Sequence, residues 1–346
     1  MLKAHTDITH SHAPATAPAP GAHASAMPAV LALLADGDRR NGPAMARTLG
    51  VSRAAVWKQV EALRAAGLDI ESGSGGYRLA QPLDRLDPKT VAAGLAGSIR
   101  RRVGLIENHW RVDSTSSECL RRAAALPDRS FVFADWQQAG RGRRGRQWIS
   151  PPATNLQGSC LKHFASGYAA LAGLSLAVGV AVVQALEDCG VAGVGLKWPN
   201  DLVYADAKLG GILIELGGEF MGPCHAVIGV GLNVRLSDAV RRTLDRPCTD
   251  LARLRGARAP SRNALATALV ARLVEALDVF ATSGFAAFAE AWAARDVLAG
   301  RRIHVEGARG AFDGVARGVD TRGALRVARA GSVACLDSAE VTVRAR

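Results

Sequence analysis

Apolar positions first recur at helical spacing, then shift to short strand-like runs. Val30 to Ala35 reads as a short apolar helix. Pro43 opens a second, through Ala44, Met45, Ala46 and Leu49, because proline suits a first helical turn. Gly50 ends it, Val51 fills the turn, and Ser52 caps a third helix. That helix places Val56, Val60 and Leu63 on one face, with Ala55, Gln59 and Ala66 around it. Arg53, Trp57, Lys58 and Arg64 are left partly outward, and Gly67 stops the helix. Gly73-Ser74-Gly75-Gly76 then reads as a hairpin tip returning through Tyr77, Arg78 and Leu79 as a strand. Helix, helix, glycine turn, helix and hairpin is the winged helix-turn-helix order.

Gln81 to Pro88 holds two prolines and few core-forming residues, which predicts a linker between independently folding units. Beyond it, Phe131 to Ala134, the runs beside Lys197 and Lys208, and Val227 to Leu232 read as strands. Phe164 to Leu186 contains no Asp, Glu, Lys or Arg and is long enough to span a bilayer. Its Gly and Ala content, and its end at Glu187-Asp188 among short charged segments, predict a buried helix packed on a sheet instead. Near the C-terminus, Arg301–Val305, Gly314–Asp320 and Gly323–Val327 read as short strands between glycine turns. Residues 1–28 are rich in Ala, Pro and His and lack both a core and a signal-peptide apolar run, so a disordered tail is expected. His5, His10, His12 and His23 are too irregularly spaced for a metal site, and Met27 or a nearby codon is a candidate start.

Composition changes this picture little. With 346 residues, 49% hydrophobic and 21% charged, the chain has room for two or three globular domains. Six cysteines are scattered without a CxxC pair, which argues against a zinc site or disulfide framework and fits a reducing cytoplasm. The net charge of +12 would suit a polyanion, but an arginine-rich composition explains much of it, since only six basic residues are lysine. Over residues 36–80 the balance is only +2, so DNA binding rests on the pattern. Ser52, Arg53, Ala55, Trp57 and Lys58 are the candidate DNA-facing residues, with Arg53 and Lys58 suited to phosphate or base-edge contacts. A helical domain for protein contacts, or a relic that no longer binds DNA, is the competing reading.

The chemistry concentrates in three segments. Phe131 to Trp148 runs from a strand into a loop carrying Arg141, Arg143, Arg144 and Arg146 among Gly140, Gly142 and Gly145. The glycines spell GxGxxG, but a dinucleotide fold needs a helix directly after them, and Trp148-Ile149-Ser150-Pro151-Pro152 cannot supply one. No Walker A motif occurs. A glycine-spaced cationic loop can wrap a ligand and neutralise phosphates, ordering over a bound anion. An RNA-binding Arg/Gly tract or a nuclear localisation signal is a lesser alternative. Lys197-Trp198-Pro199-Asn200-Asp201 and Lys208-Leu209-Gly210-Gly211 put two lysines eleven residues apart, the spacing expected of neighbouring strand edges facing one pocket. Asn200 and Asp201 could position ATP phosphates or magnesium, which prefers oxygen ligands. In Val227 to Asn233, Gly229 and Gly231 share a face and leave a flat floor for a ring system, or else admit a packed side chain.

Asp113-Ser114-Thr115, QQAGRGRRGR at residues 137–146, KWPND at 197–201, KLGGIL at 208–213 and GVGLN at 229–233 together resemble the biotin–protein ligase family. With the winged helix in front, the chain from about residue 29 onwards is similar to the bifunctional bacterial form, which is also a repressor. The resemblance implies an α+β fold in five segments: a tail over 1–28, a winged helix over 29–80 and a linker over 81–88. A catalytic domain like class II aminoacyl-tRNA synthetases over 89–296 and an SH3-like barrel over 297–346 complete it.

By position, the resemblance gives biotin Ser114, Thr115, Ser116, Gln137, Gly140, Arg141, Gly142, Arg143, Lys208, Gly211, Leu213, Gly229 and Gly231. It gives ATP Arg143, Arg146, Trp148, Asn155, Lys197, Asn200, Asp201 and Asn233, and it assigns catalysis to Lys208, Arg143, Arg141 and Lys197. ATP and magnesium, the latter near Asp201, are the implied cofactors, and biotin is both substrate and effector. A biotin carboxyl carrier protein, operator DNA and a second copy of the chain in the adenylate-bound state are the implied partners. Ser116 replaces the family's asparagine, and Gly210 its alanine. A lipoate or octanoate ligase and a non-catalytic ligand-sensing repressor are the rival functions. Lys197, Lys208 and the full arginine loop argue against the second.

Overall fold

The computed structural model describes residues 26–307, 310–329, 331–337 and 341–345; residues 1–25 of the expected tail lie outside that range. Helices α1 (Ala29–Leu34), α2 (Gly42–Leu49) and α3 (Arg53–Ala65) precede a hairpin of β1 (Ile70–Gly73) and β2 (Gly76–Leu79). Local chemistry fixes the ends. Asn41 Oδ1 accepts from the Ala44 N–H at 3.2 Å, Gly50 closes α2 at φ 64°, and Ser52 Oγ accepts from the Ala55 N–H at 3.1 Å. Val30, Leu31, Leu34, Val56, Val60 and Leu63 form one buried cluster. Arg64 is half-exposed, in keeping with a partly outward position, and reaches back onto the wing. Its guanidinium donates to the Ile70 carbonyl and the Ser72 hydroxyl, both at 2.6 Å.

Residues 81–88 are tied down more firmly than their composition suggested. Leu86 is buried in the main core. The Asp84 carbonyl and carboxylate accept from the Arg262 guanidinium and N–H at 2.8 and 2.6 Å. Leu83 packs against the winged-helix core, and Asn263 bonds the Asp87 N–H and the Arg85 carbonyl at 2.8 Å each, so several contacts pin a segment poor in core residues.

Helices α4 (Pro88–Gly94) and α5 (Gly97–Arg100) lead into the central sheet. Its strands are β3 (Leu105–Val112), β4 (Ser130–Gln137), β5 (Leu156–Phe164), β6 (Gly195–Lys197), β7 (Asp201–Tyr204), β8 (Ala207–Gly218) and β9 (Cys224–Leu232). They lie in the order β3-β4-β5-β9-β8-β7-β6, parallel only between β3 and β4. Helix α6 (Thr115–Arg121) packs Cys119 on one face, against Val132, Leu161 and Val227. The other face is covered by α7 (Leu174–Asp188) and, after α8 (Asp238–Thr243) and α9 (Leu251–Arg255), by α10 (Arg262–Ser283). The charge-free stretch is thus mostly α7, a buried helix, and no helix among the described residues is long and apolar enough to cross a membrane. Arg262, itself buried, pairs with buried Asp135 at 2.6 Å. That ion pair joins the start of α10 to the strand that feeds the arginine loop.

After α11 (Ala289–Ala293), strands β10 (Arg302–Gly307), β11 (Gly310–Val319), β12 (Leu325–Arg329), β13 (Ser332–Leu336) and β14 (Val341–Ala345) form an antiparallel sheet. Their order is β13-β12-β11-β10-β14. Ile303, Val305, Ala316, Leu325 and Val327 join the main core, and the Trp198 indole N–H donates to the Gly323 carbonyl at 3.0 Å. The fold class is α+β.

Candidate functional site

Strand register builds the floor of a cavity of about 380 Å³ on the α6 face of the sheet. Gly229 stands opposite Ser159 on one side and Leu213 on the other, and Gly231 opposite Gln157 and Gly211. Cross-strand partners share a face, so these six residues line one surface. Lys208 joins them because of an irregularity in β8. Leu202 pairs with Gly210 but Val203 pairs with Lys208, so Leu209 is an extra residue. A bulge of one residue moves the next side chain to the opposite face, and Lys208 therefore turns onto the face of Asp201 and Gly211. Its Nζ lies 2.5 Å from Asp201 Oδ1.

One end of the cavity is neutral, and its polar side chains are buried. Ser114, Thr115, Ser116, Gln137 and Ser159 are all buried. Gln137 Oε1 accepts from the Thr115 N–H at 2.8 Å and its hydroxyl at 3.1 Å, while Gln137 Nε2 donates to Ser150 Oγ at 3.1 Å. Ser159 Oγ lies 2.8 Å from Thr115 Oγ1 and 3.0 Å from Ser116 Oγ. Gly229 leaves room for the Ser116 hydroxyl, since a Cβ would fall 2.8 Å from its Oγ.

The other end is cationic. The arginine loop folds back on itself, with the Gly142 N–H donating to the Arg146 carbonyl at 2.7 Å and the Trp148 N–H to the Gly140 carbonyl at 2.8 Å. Arg141 pairs with Glu215 at 2.7 Å, and Arg143 donates to Asn200 Oδ1 at 3.4 Å. Arg143 has its pKa lowered, first by burial, against the opposing pull of Asp201 and with the help of Arg144 and Arg146. Asn233 lines the wall and donates to the carbonyls of Thr249 and Lys208 at 3.1 and 3.4 Å. Asp201 and Asp245 are the carboxylates of the lining, and no cluster of three metal-ligating side chains occurs among the described residues. That donor set suits a magnesium ion carried by ATP phosphates, with Asp201 offering one oxygen.

Several sequence-based expectations are revised. Lys197 and Lys208 do not lie on neighbouring strands, because β7 separates β6 from β8. Lys197 stands across from Asp201, one strand further out, and does not line the cavity. Burial lowers its pKa, partly offset by Asp201. Asn155 is buried behind the floor, where its Oδ1 accepts from the Val234 N–H at 3.2 Å. Gly140 is not a lining residue either; a Cβ there would meet the Trp148 carbonyl at 2.4 Å, so it allows a close backbone crossing. Gly231 takes the packed-side-chain alternative: its Cβ position lies 2.6 Å from the Trp148 indole, whose buried Nε1 has no partner. Every other residue assigned to biotin or ATP lines the cavity. Ser150, Ser159 and Arg246 were not singled out. No motif marks Ser159, since β5 also carries Gln157, Lys162 and His163.

On α3, Arg53, Trp57 and Lys58 are exposed, Trp57 at 57%. Ser52 Oγ is occupied as the cap, and Ala55 is half-buried.

The class of protein follows from sequence models and relatives. The Biotin/lipoate A/B protein ligase family matches residues 110–233, and an HTH domain matches residues 29–78. Similar proteins include the bifunctional ligase/repressor BirA of Escherichia coli, 34% identical over 323 residues, 91% of this chain and 96% of that one. The biotin–[acetyl-CoA-carboxylase] ligase of Paracoccus denitrificans is 34% identical over 228 residues, covering 62% of this chain and 90% of that one. Among solved structures, the biotin protein ligase of Aquifex aeolicus, in complex with biotin and ATP, superposes with a TM-score of 0.60. It covers 70% of this chain and 99% of its own at 23% identity, and so shares the fold. The chain belongs to the biotin–protein ligase family, in its bifunctional ligase/repressor branch.

Proposed function

We propose that the protein activates biotin with ATP as biotinoyl-AMP, transfers the biotinoyl group to a lysine of a biotin carboxyl carrier protein, and represses transcription in response to biotin. One observation carries the reading: a neutral, hydrogen-bonding end and a cationic end meet at Lys208 in a single cavity. The neutral network of Ser114, Thr115, Ser116 and Gln137 orients the ureido ring, and Lys208 lies where biotin's carboxylate and the α-phosphate converge. Two anions repel, so Lys208 and Arg143 offset that charge and hold the groups in line. A carboxylate oxygen bonds to the α-phosphorus, the bond to the β-phosphate oxygen breaks, and pyrophosphate leaves. Arg141, Gly142 and Arg143 close over the biotinoyl-AMP and keep water from the mixed anhydride. The acceptor amine then attacks the carbonyl, loses a proton, and AMP departs. Magnesium, when present on ATP, adds electrostatic neutralisation at the phosphates.

The test is biotin-dependent exchange of labelled pyrophosphate into ATP. Exchange driven by lipoate or octanoate and not by biotin would transfer the chain to the rival acid; no exchange from folded protein would favour a pure sensor.

We infer for the winged helix that Arg53, Trp57 and Lys58 face operator DNA, and that the adenylate-bound chain pairs as a homodimer on a palindromic site. The turn after α3 supports such linkage. A Cβ on Gly67 would lie 3.0 Å from Pro151 and 3.2 Å from Val240, and Val240 lines the cavity. Operator affinity measured with and without biotin and ATP decides the matter; equal affinities would end the idea.

A further inference from the structure

The cationic end of the cavity contains an arginine that the mechanism above leaves without a task. Arg246 lines the cavity in the segment after α8. Its Nη1 lies 3.8 Å from Asp201 Oδ2, while Lys208 Nζ holds Oδ1 of the same carboxylate at 2.5 Å. Backbone bonding fixes this neighbourhood. The Lys208 N–H donates to the Pro247 carbonyl, and the Thr249 N–H to the Lys208 carbonyl, both at 2.9 Å. The residue before Pro247 is thereby delivered beside Lys208, whatever its identity.

Its own ion pairs are weak. Asp201, at 3.8 Å, is beyond hydrogen-bond reach, and Asp245, at 3.3 Å, is 83% exposed. Such screened pairs contribute little and are easily exchanged. With Arg141 held by Glu215, the lining residues Arg143, Arg146, Lys208 and Arg246 are set against the two lining carboxylates, Asp201 and Asp245. A multiply charged anion would balance that excess. The biotin-end groups come from β4, β5, β9 and the Ser114–Thr115 turn, whereas Arg246 stands across Asp201 from Lys208. A guanidinium fork fits phosphate oxygens better than a point charge does.

We propose that Arg246 binds the β- and γ-phosphates of ATP and then the departing pyrophosphate. This rests on the ligase reading and adds a residue that no motif in the chain marks.

The experiment compares full-length wild type, Arg246→Ala and Arg246→Lys. Calorimetric titration with magnesium pyrophosphate is followed by kcat and KM for ATP in adenylation, and by transfer from preformed biotinoyl-AMP to a carrier domain. Arg246→Ala is expected to weaken pyrophosphate binding and raise the ATP KM on the order of tenfold, as loss of a charge-assisted hydrogen bond does. Arg246→Lys retains part of both, and transfer from the preformed adenylate stays within about twofold of wild type. Unchanged pyrophosphate binding and ATP KM would overturn the assignment. So would transfer falling in parallel with adenylation, which would place Arg246 on the α-phosphate or in loop packing. Wild type that binds pyrophosphate but makes no adenylate would sink the ligase reading, while the titration still decides Arg246.

Discussion

The two ends of the cavity solve different problems. At the neutral end, the polar groups of Thr115, Gln137, Ser150 and Ser159 are buried and bonded to one another. At the cationic end, Asp201 is shared between Lys208 and Arg246, and Arg141 is held by Glu215. Recognition of an uncharged ring needs donors and acceptors fixed in a dry site, where each unmet bond is costly. Handling phosphate needs cations whose partners can be exchanged, which favours partly solvated ion pairs. One sheet serves both because its register sets the neutral residues beside Gly229, and a bulge turns Lys208 towards Asp201.

That contrast is open to attack at four points. The largest effect is expected from Lys208→Ala, which removes the cation at the junction. Adenylation should fall roughly a hundredfold or more, with biotin affinity, measured by calorimetry, far less changed. Next, Gln137→Leu leaves the Thr115 N–H unpaired, and biotin affinity should weaken on the order of tenfold while ATP affinity holds. Ionic strength divides the ends more gently. Raising salt from about 0.05 to 0.5 M should weaken ATP binding several-fold through screening and leave biotin binding nearly constant. The smallest change is Ser116→Asn, which restores the family residue. Space beside Gly229 is short here, so a few-fold loss of biotin affinity is expected, read as a higher biotin KM.

Much of this was legible in the chain because the determining chemistry is local. Ser52, Gly50 and the glycines around residues 73–76 dictate caps and turns through neighbouring atoms, and the winged helix followed from them. The motif residues Ser114, Thr115, Gln137, Arg143 and Lys208 meet in one cavity as expected. The errors were of register. Lys197 was placed one strand too near, because nothing local reveals that residues 201–204 return as a strand between it and Lys208. Ser159 is set in the site by lying opposite Gly229, and Arg246 by backbone bonds between its neighbours and Lys208. Both are tertiary facts. Trp148 fills the floor predicted for a ring system since its indole is the nearest apolar ring when Gly231 has no side chain.

The most direct test of the central claim is transfer of biotin to a purified carboxyl carrier domain, with ATP and magnesium, by wild type and Lys208→Ala. The account predicts ATP-dependent labelling of the carrier lysine that collapses in the variant while the variant still binds biotin. Equal labelling by both proteins, or none by well-folded wild type, would contradict it.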